Sequence, residues 1–176
     1  VWHQISNMDS NYALSSDIES MTGVNTISPT WFSVASKDGT VSSLADSSYV
    51  ETAHEKGLEV WGLVDNFNQE VDMKEVLTNT TAREKLTTQL IEAALEYQLD
   101  GLNIDFENLG EELGDAYIEF LRELSIQCRK NNLVLSSDNT VPRDFSAYYQ
   151  RSEQAEVVDY FIIMGYDEHY VGSDPG

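Results

Sequence analysis

The chain has 176 residues, enough for one domain with a real core and too few for two. Ten Lys+Arg against 31 Asp+Glu leave a net charge of −21, which repels phosphate backbones and anionic lipid and sets nucleic-acid and membrane-surface partners aside. No apolar run approaches the ~18 residues of a bilayer span, and the single cysteine, Cys128, excludes an internal disulfide or thiolate metal cluster.

In chain order, Val1 to Ser6 is a short β-like stretch with no initiator Met and no basic leader, as expected of a processed or excised segment whose signal peptide lies elsewhere. Ser16 to Met21 reads as a short helix stopped by Gly23. Val24 to Phe32 reads as a strand, with Pro29 limiting its pairing near the C-terminal end, and Lys37-Asp38-Gly39-Thr40 as a turn. Ser48 with Glu51 has the form of a capping box for a helix reaching Lys56, and Gly57 is its stop. Leu58 to Phe67 is a largely apolar strand with a polar end. Thr81 with Glu84 is a second capping-box pattern, ahead of Leu86, Leu90, Ala93, Ala94 and Tyr97 at helical spacing.

Asp100 to Glu107 alternates, with Asn103, Asp105 and Glu107 on one face and Leu102, Ile104 and Phe106 on the other. Leu113, Tyr117, Phe120, Leu121, Leu124 and Cys128 form the stripe of a long amphipathic helix broken at Asn131-Asn132. This stripe makes Cys128 a buried spectator. Leu133 to Asp138 is another strand, Ala147 to Gln154 a weaker helix, and Val157 to Met164 the most apolar strand. Strand starts roughly 25–40 residues apart, separated by helices, predict βα units with a parallel sheet. Trp31, Asp65-Asn66, Asp105-Glu107, Asp138-Asn139 and Tyr166-Asp167 all fall at C-terminal strand ends, where α/β barrels and open α/β sheets bind ligands. No glycine-rich phosphate loop follows a strand, which argues against a nucleotide site.

Asp105 and Glu107, about 7 Å apart along a strand, are a candidate acid/base pair. A carboxyl in a walled cleft beside a second carboxylate has its pKa raised and can act as a general acid near neutral pH. Two alternatives stand beside this reading. The acids can be solvated residues at a frayed strand end, or Asn103, Asp105 and Glu107 can be oxygen ligands of a hard cation. An EF-hand is excluded by the intervening apolar residues.

The stretch D-G-L-N-I-D-F-E at Asp100 to Glu107 resembles the catalytic strand of glycoside hydrolase family 18, with pattern DGxDxDxE. Met164-Gly165-Tyr166-Asp167 resembles the M-x-Y-D that ends its sixth barrel strand. N-I-D-F-E and Y-D-E-H-Y are phrases of the bacterial spore-germination and cortex-lytic branch. The resemblance implies a (β/α)8 TIM barrel, here about six βα units of a partial catalytic domain spanning 1–176. It also implies retaining, substrate-assisted cleavage of β-1,4-linked N-acetylglucosamine polymers (peptidoglycan or chitin), with no metal or organic cofactor. Glu107 would protonate the glycosidic oxygen, Asp105 would hold the acetamide, Tyr166 would bond its carbonyl and Asp167 would line the same subsite. An extracellular, cell-wall or spore location is implied.

Two departures stand out. Asn103 replaces the first Asp of the core motif and is expected to hydrogen-bond Asp105 without sharing a proton. The chain also stops at Gly176, before a seventh and eighth strand, so little activity from this piece alone and self-association through open sheet edges are expected. Asn103, Trp31, Asn66 and Asp138 are the substrate-binding candidates, Trp31 as a stacking platform. Trp61 reads as core, and His169 as a solvated loop residue. Asn79-Thr80-Thr81 fits a glycosylation sequon. The rival function is a non-catalytic sugar-binding or peptidoglycan-docking module on the same scaffold.

Overall fold

The structure, a computed structural model, describes residues 1–165, so Tyr166, Asp167 and His169 lie outside the described residues. Its strands are β1 (Trp2–His3), β2 (Thr26–Val34), β3 (Val41–Ser43), β4 (Glu59–Asp65), β5 (Gly101–Asp105), β6 (Val134–Thr140) and β7 (Tyr160–Met164). Its α-helices are α1 (Leu14–Ile18), α2 (Ser47–Glu55), α3 (Met73–Leu77), α4 (Thr80–Glu96), α5 (Gly114–Lys130) and α6 (Arg151–Val157). Short 3-10 helices cover Met8–Ala13, Glu111–Leu113 and Asp144–Tyr149.

Six strands pair in parallel in the order β1-β2-β4-β5-β6-β7, and β3 folds back antiparallel on β2. The sheet curls into a half-barrel, the α/β architecture of an incomplete TIM barrel. Leu102, Ile104 and Phe106 join Leu86, Leu90, Tyr117, Phe120 and Leu121 in one buried apolar cluster. Each such side chain contributes about 1.5–3 kcal/mol on burial. The expected stripe of α5 is buried along its length, from Leu113 to Cys128, and burial pushes the Cys128 thiol up to about 12.

Several local expectations are corrected. Asp46 caps α2 by accepting from the Tyr49 amide, and Asn79 caps α4 by accepting from the Thr81 and Ala82 amides. An N-cap needs an extended backbone. Asp46 and Asn79 have one, whereas Ser48 and Thr81 already lie inside their helices. Pro29 does not end the pairing of β2, which continues to Ser33 opposite Asp65 through a register shift between Thr30 and Phe32. The weak helix near 147–154 is a 3-10 turn and then α6, separated by Gln150 at φ 46°. Gly39, in the turn before β3, sits at φ 83°, and a Cβ there would lie 2.1 Å from the Ala82 carbonyl oxygen.

Replacing Asn79 by Ala should lower stability by about 1 kcal/mol in urea unfolding, with Thr81→Ala close to neutral. Equal losses from both would return the cap to Thr81.

Candidate active site

Strand β5 is enclosed on both faces, so the residues it turns inward must find partners there. Register places Asn103 between Leu63 of β4 and Ser136 of β6, and Asp105 beside Asp65. Asn103 is 1% exposed. Its Nδ2 donates to Asp138 Oδ2 at 2.6 Å, and its Oδ1 accepts from Ser28 Oγ at 3.4 Å. Trp2 Nε1 donates to the same Asp138 oxygen at 3.1 Å. The expected Asn103–Asp105 hydrogen bond is therefore replaced by one to Asp138 across the strand pair. Both ends of the Asn103 amide are engaged, and among the described residues no group of three His, Cys, Asp or Glu is placed to hold a metal ion.

Asp105 is 8% exposed, and its Oδ1 is buried with no hydrogen-bond partner among the described residues. Burial, and then the charges of Asp138, Glu107 and Asp65, push its carboxyl up to about 7. Asp138 keeps one oxygen unpartnered as well. Burial raises it to about 6, against the lowering effect of its bonds from Asn103 and Trp2. Asp65 is held by Ser33 Oγ at 2.7 Å and the Phe67 amide at 3.0 Å. The solvated-end alternative thus fails for Asp105, the acid left without a donor.

Glu107 lies two residues past the end of β5 and is half-buried, so the strand pleat does not set its direction. Asn66, just after β4, accepts from the Glu107 amide through Oδ1 and donates to the Glu107 carbonyl through Nδ2, both at 2.9 Å. Tyr149 donates its hydroxyl to the Phe106 carbonyl at 3.1 Å and accepts from the Leu109 amide at 3.2 Å. Two clefts adjoin here. One, of about 490 Å³, is lined by Trp2, Thr30, Asp65, Phe67, Asp105 and Met164. The other, about 300 Å³ and polar, is lined by Asn66, Phe67, Lys74, Glu107 and Glu112. Phe67, half exposed, borders both. A larger cavity of about 530 Å³ between α4 and α5 lies away from these acids.

Four of the sequence candidates therefore gather at one end of the sheet: Asn103, Asp105, Glu107 and Asp138. Asn66 also reaches the site, lining the smaller cleft while its carboxamide bonds the Glu107 backbone. Trp31 is corrected to core. It is 2% exposed, its indole donates to Asn11 at 2.8 Å, and its ring meets Tyr49 edge-on at 4.8 Å, so it only borders the 490 Å³ cleft from within the core. Trp61 is core as expected. Trp2 and Tyr149 make hydrogen bonds at the site that sequence reading missed. The only signal for Trp2 was a tryptophan on the first β-like stretch; Tyr149 carried none.

The sequence profile of Glycosyl hydrolases family 18 matches residues 9–174. An uncharacterized glycosylase, YvbX, of Bacillus subtilis is 28% identical over 152 residues, covering 80% of this chain and 44% of the relative. A cortical fragment-lytic enzyme of Bacillus anthracis is 25% identical over 151 residues, covering 80% and 35%. The chain spans less than half the length of the curated relatives it matches. The spore cortex-lytic enzyme SleL of Bacillus cereus superposes with a TM-score of 0.83 at 20% identity, over 100% of this chain and 42% of that one. The C-terminal domain of a Desulfitobacterium hafniense protein described as a putative chitinase gives 0.83 at 22%, over 99% and 56%. Those two likenesses carry the fold, and the profile match across nearly the whole chain carries the family: this chain belongs to glycosyl hydrolase family 18.

Proposed function

We propose that the protein is a glycosidase that cleaves β-1,4-linked N-acetylglucosamine polymers with retention, using the substrate's own acetamide as nucleophile. The observation that carries this reading is Asp105, an almost fully buried carboxyl with a partnerless oxygen in a cleft beside Glu107. A buried carboxyl left without a donor is placed to accept the acetamido N–H when substrate binds, and the developing positive charge would draw it into its ionised form despite the burial that raises it to about 7.

In this mechanism Glu107 gives its proton to the glycosidic oxygen as the C1–O bond breaks. The acetamido carbonyl oxygen attacks C1 and forms an oxazolinium ion, while the Asp105 carboxylate accepts the acetamido N–H and offsets the positive charge. Water then attacks C1 and gives its proton back to Glu107, so two inversions yield net retention. Asn103 and Trp2 hold Asp138, whose charge helps to raise the Asp105 carboxyl. Tyr166 and Asp167 are assigned to the acetamide subsite through the motif they share with the family. The cortex-lytic relatives favour peptidoglycan of the spore cortex over chitin as the polymer, and so a spore or wall location.

In the full-length protein, Glu107→Gln should abolish cleavage of an N-acetylglucosamine oligomer, and Asp105→Asn should lower kcat by about 100-fold. Undiminished activity in Glu107→Gln would sink its role as the acid. A protein that binds the oligomer without cutting it would be the docking module instead. Asp105 also makes a stability prediction. Its folded pKa lies above the unfolded value, so the native state binds the extra proton, and its favourable contribution fades as pH rises from about 4 to 7. Asp105→Asn should therefore flatten the fall in Tm between pH 5 and pH 8. A Tm profile parallel to that of the unmodified protein would refute the shift.

A further inference from the structure

Strands β4 and β5 pair as far as Asp65 and Asp105 and then part. At the next step, the Asn66 side chain makes both hydrogen bonds that a further backbone pair would have made, one accepted from the Glu107 amide and one donated to its carbonyl. A carboxamide offers a donor and an acceptor side by side at that reach. Aspartate lacks the donor, leucine lacks both, and glutamine is a methylene too long. On the other flank of the same turn, the Tyr149 hydroxyl bridges the Phe106 carbonyl and the Leu109 amide. Tyr149 is itself buried and set edge-on against Tyr117, with ring centroids 5.9 Å apart. Between the two anchors, Asn108 turns the chain at φ 53°, a left-handed conformation that asparagine adopts more readily than other non-glycine residues.

We propose that Asn66 and Tyr149 are positioning residues for Glu107: together they form a clamp that replaces strand pairing where β5 ends and aims the Glu107 carboxyl group at the bond to be cut. The inference rests on Glu107 being the acid of the proposed reaction. Four main-chain groups between Phe106 and Leu109 are tied to side chains from two other βα connections, so the turn cannot pivot about the strand end. The clamp acts through geometry, where a displacement of about 1 Å costs on the order of 100-fold in rate.

The test uses full-length protein carrying Asn66→Leu, Asn66→Asp or Tyr149→Phe. Amide hydrogen exchange is read at residues 107 and 109, and kcat and KM are measured separately on an N-acetylglucosamine oligomer. Asn66→Leu should speed exchange at the Glu107 amide about tenfold or more while amides in α4 and α5 keep their protection. Its kcat should fall about 10- to 100-fold, with KM changed less than about twofold. Asn66→Asp keeps the acceptor and should recover part of that loss. Tyr149→Phe should release the Leu109 amide. Unchanged exchange at both amides overturns the clamp. So does a drop in global stability with wild-type kcat per folded molecule, the signature of a purely structural role. If the unmodified protein cleaves no oligomer, the glycosidase reading fails, and the exchange data still decide whether the clamp exists.

Discussion

The parallel pairing of β4, β5 and β6 sets inward-facing residues of neighbouring strands at the same height, and the site depends on that constraint. Asp65 is level with Asp105, and the register of Ile104 with Ser137 carries Asp105 on to Asp138. Three carboxyl groups thus share one row in a space with little water, where each unpaired charge costs several kcal/mol. The protein distributes its donors unevenly among them. Asp65 receives Ser33 and the Phe67 amide, and Asp138 receives Asn103 and Trp2. Asp105 receives none among the described residues. Asp105, without donors, is raised to about 7, and the two donors on Asp138 work against the burial that raises it to about 6.

The same strand anchors what it positions. Leu102, Ile104 and Phe106 alternate with the polar residues and disappear into the helical layer, where Phe106 stacks on Phe120 at 5.4 Å and lies 5.9 Å from Tyr117. A slip of β5 by one residue would carry the carboxyl groups into that apolar layer and the phenylalanine into the cleft. The register is therefore held jointly by the cost of misplaced charge and the gain from buried rings. Beyond Asp105 the ladder ends, and side-chain hydrogen bonds from Asn66 and Tyr149 take over its work.

The alternation of polar and apolar residues from Asn103 to Phe106, the amphipathic stripe from Leu113 to Cys128 and the recurrence of strands and helices are local properties. They predict a parallel α/β sheet with its acids at one end, as found. The Asp100 to Glu107 stretch and the Met164-Gly165-Tyr166-Asp167 phrase together carried the family, which the profile match also shows. Caps were less legible. Asp46 and Asn79 lie within a residue or two of equally good candidates, and only the backbone conformation of the folded chain chooses among them. Trp31 looked available because it stands near a strand end, but the fold places Asn11 over its indole and Tyr49 against its ring.

The sequence by itself determined which residues turn inward, because a strand alternates with period two whatever surrounds it. It also determined the chemistry those residues carry. Tertiary structure alone decided their partners. That Asn103 serves Asp138 rather than Asp105, that Trp2 reaches the same carboxylate across 136 positions, and that Asn66 and Tyr149 hold the turn bearing Glu107 all depend on contacts between distant segments. Such contacts follow from sheet order and curl, and no local pattern encodes them.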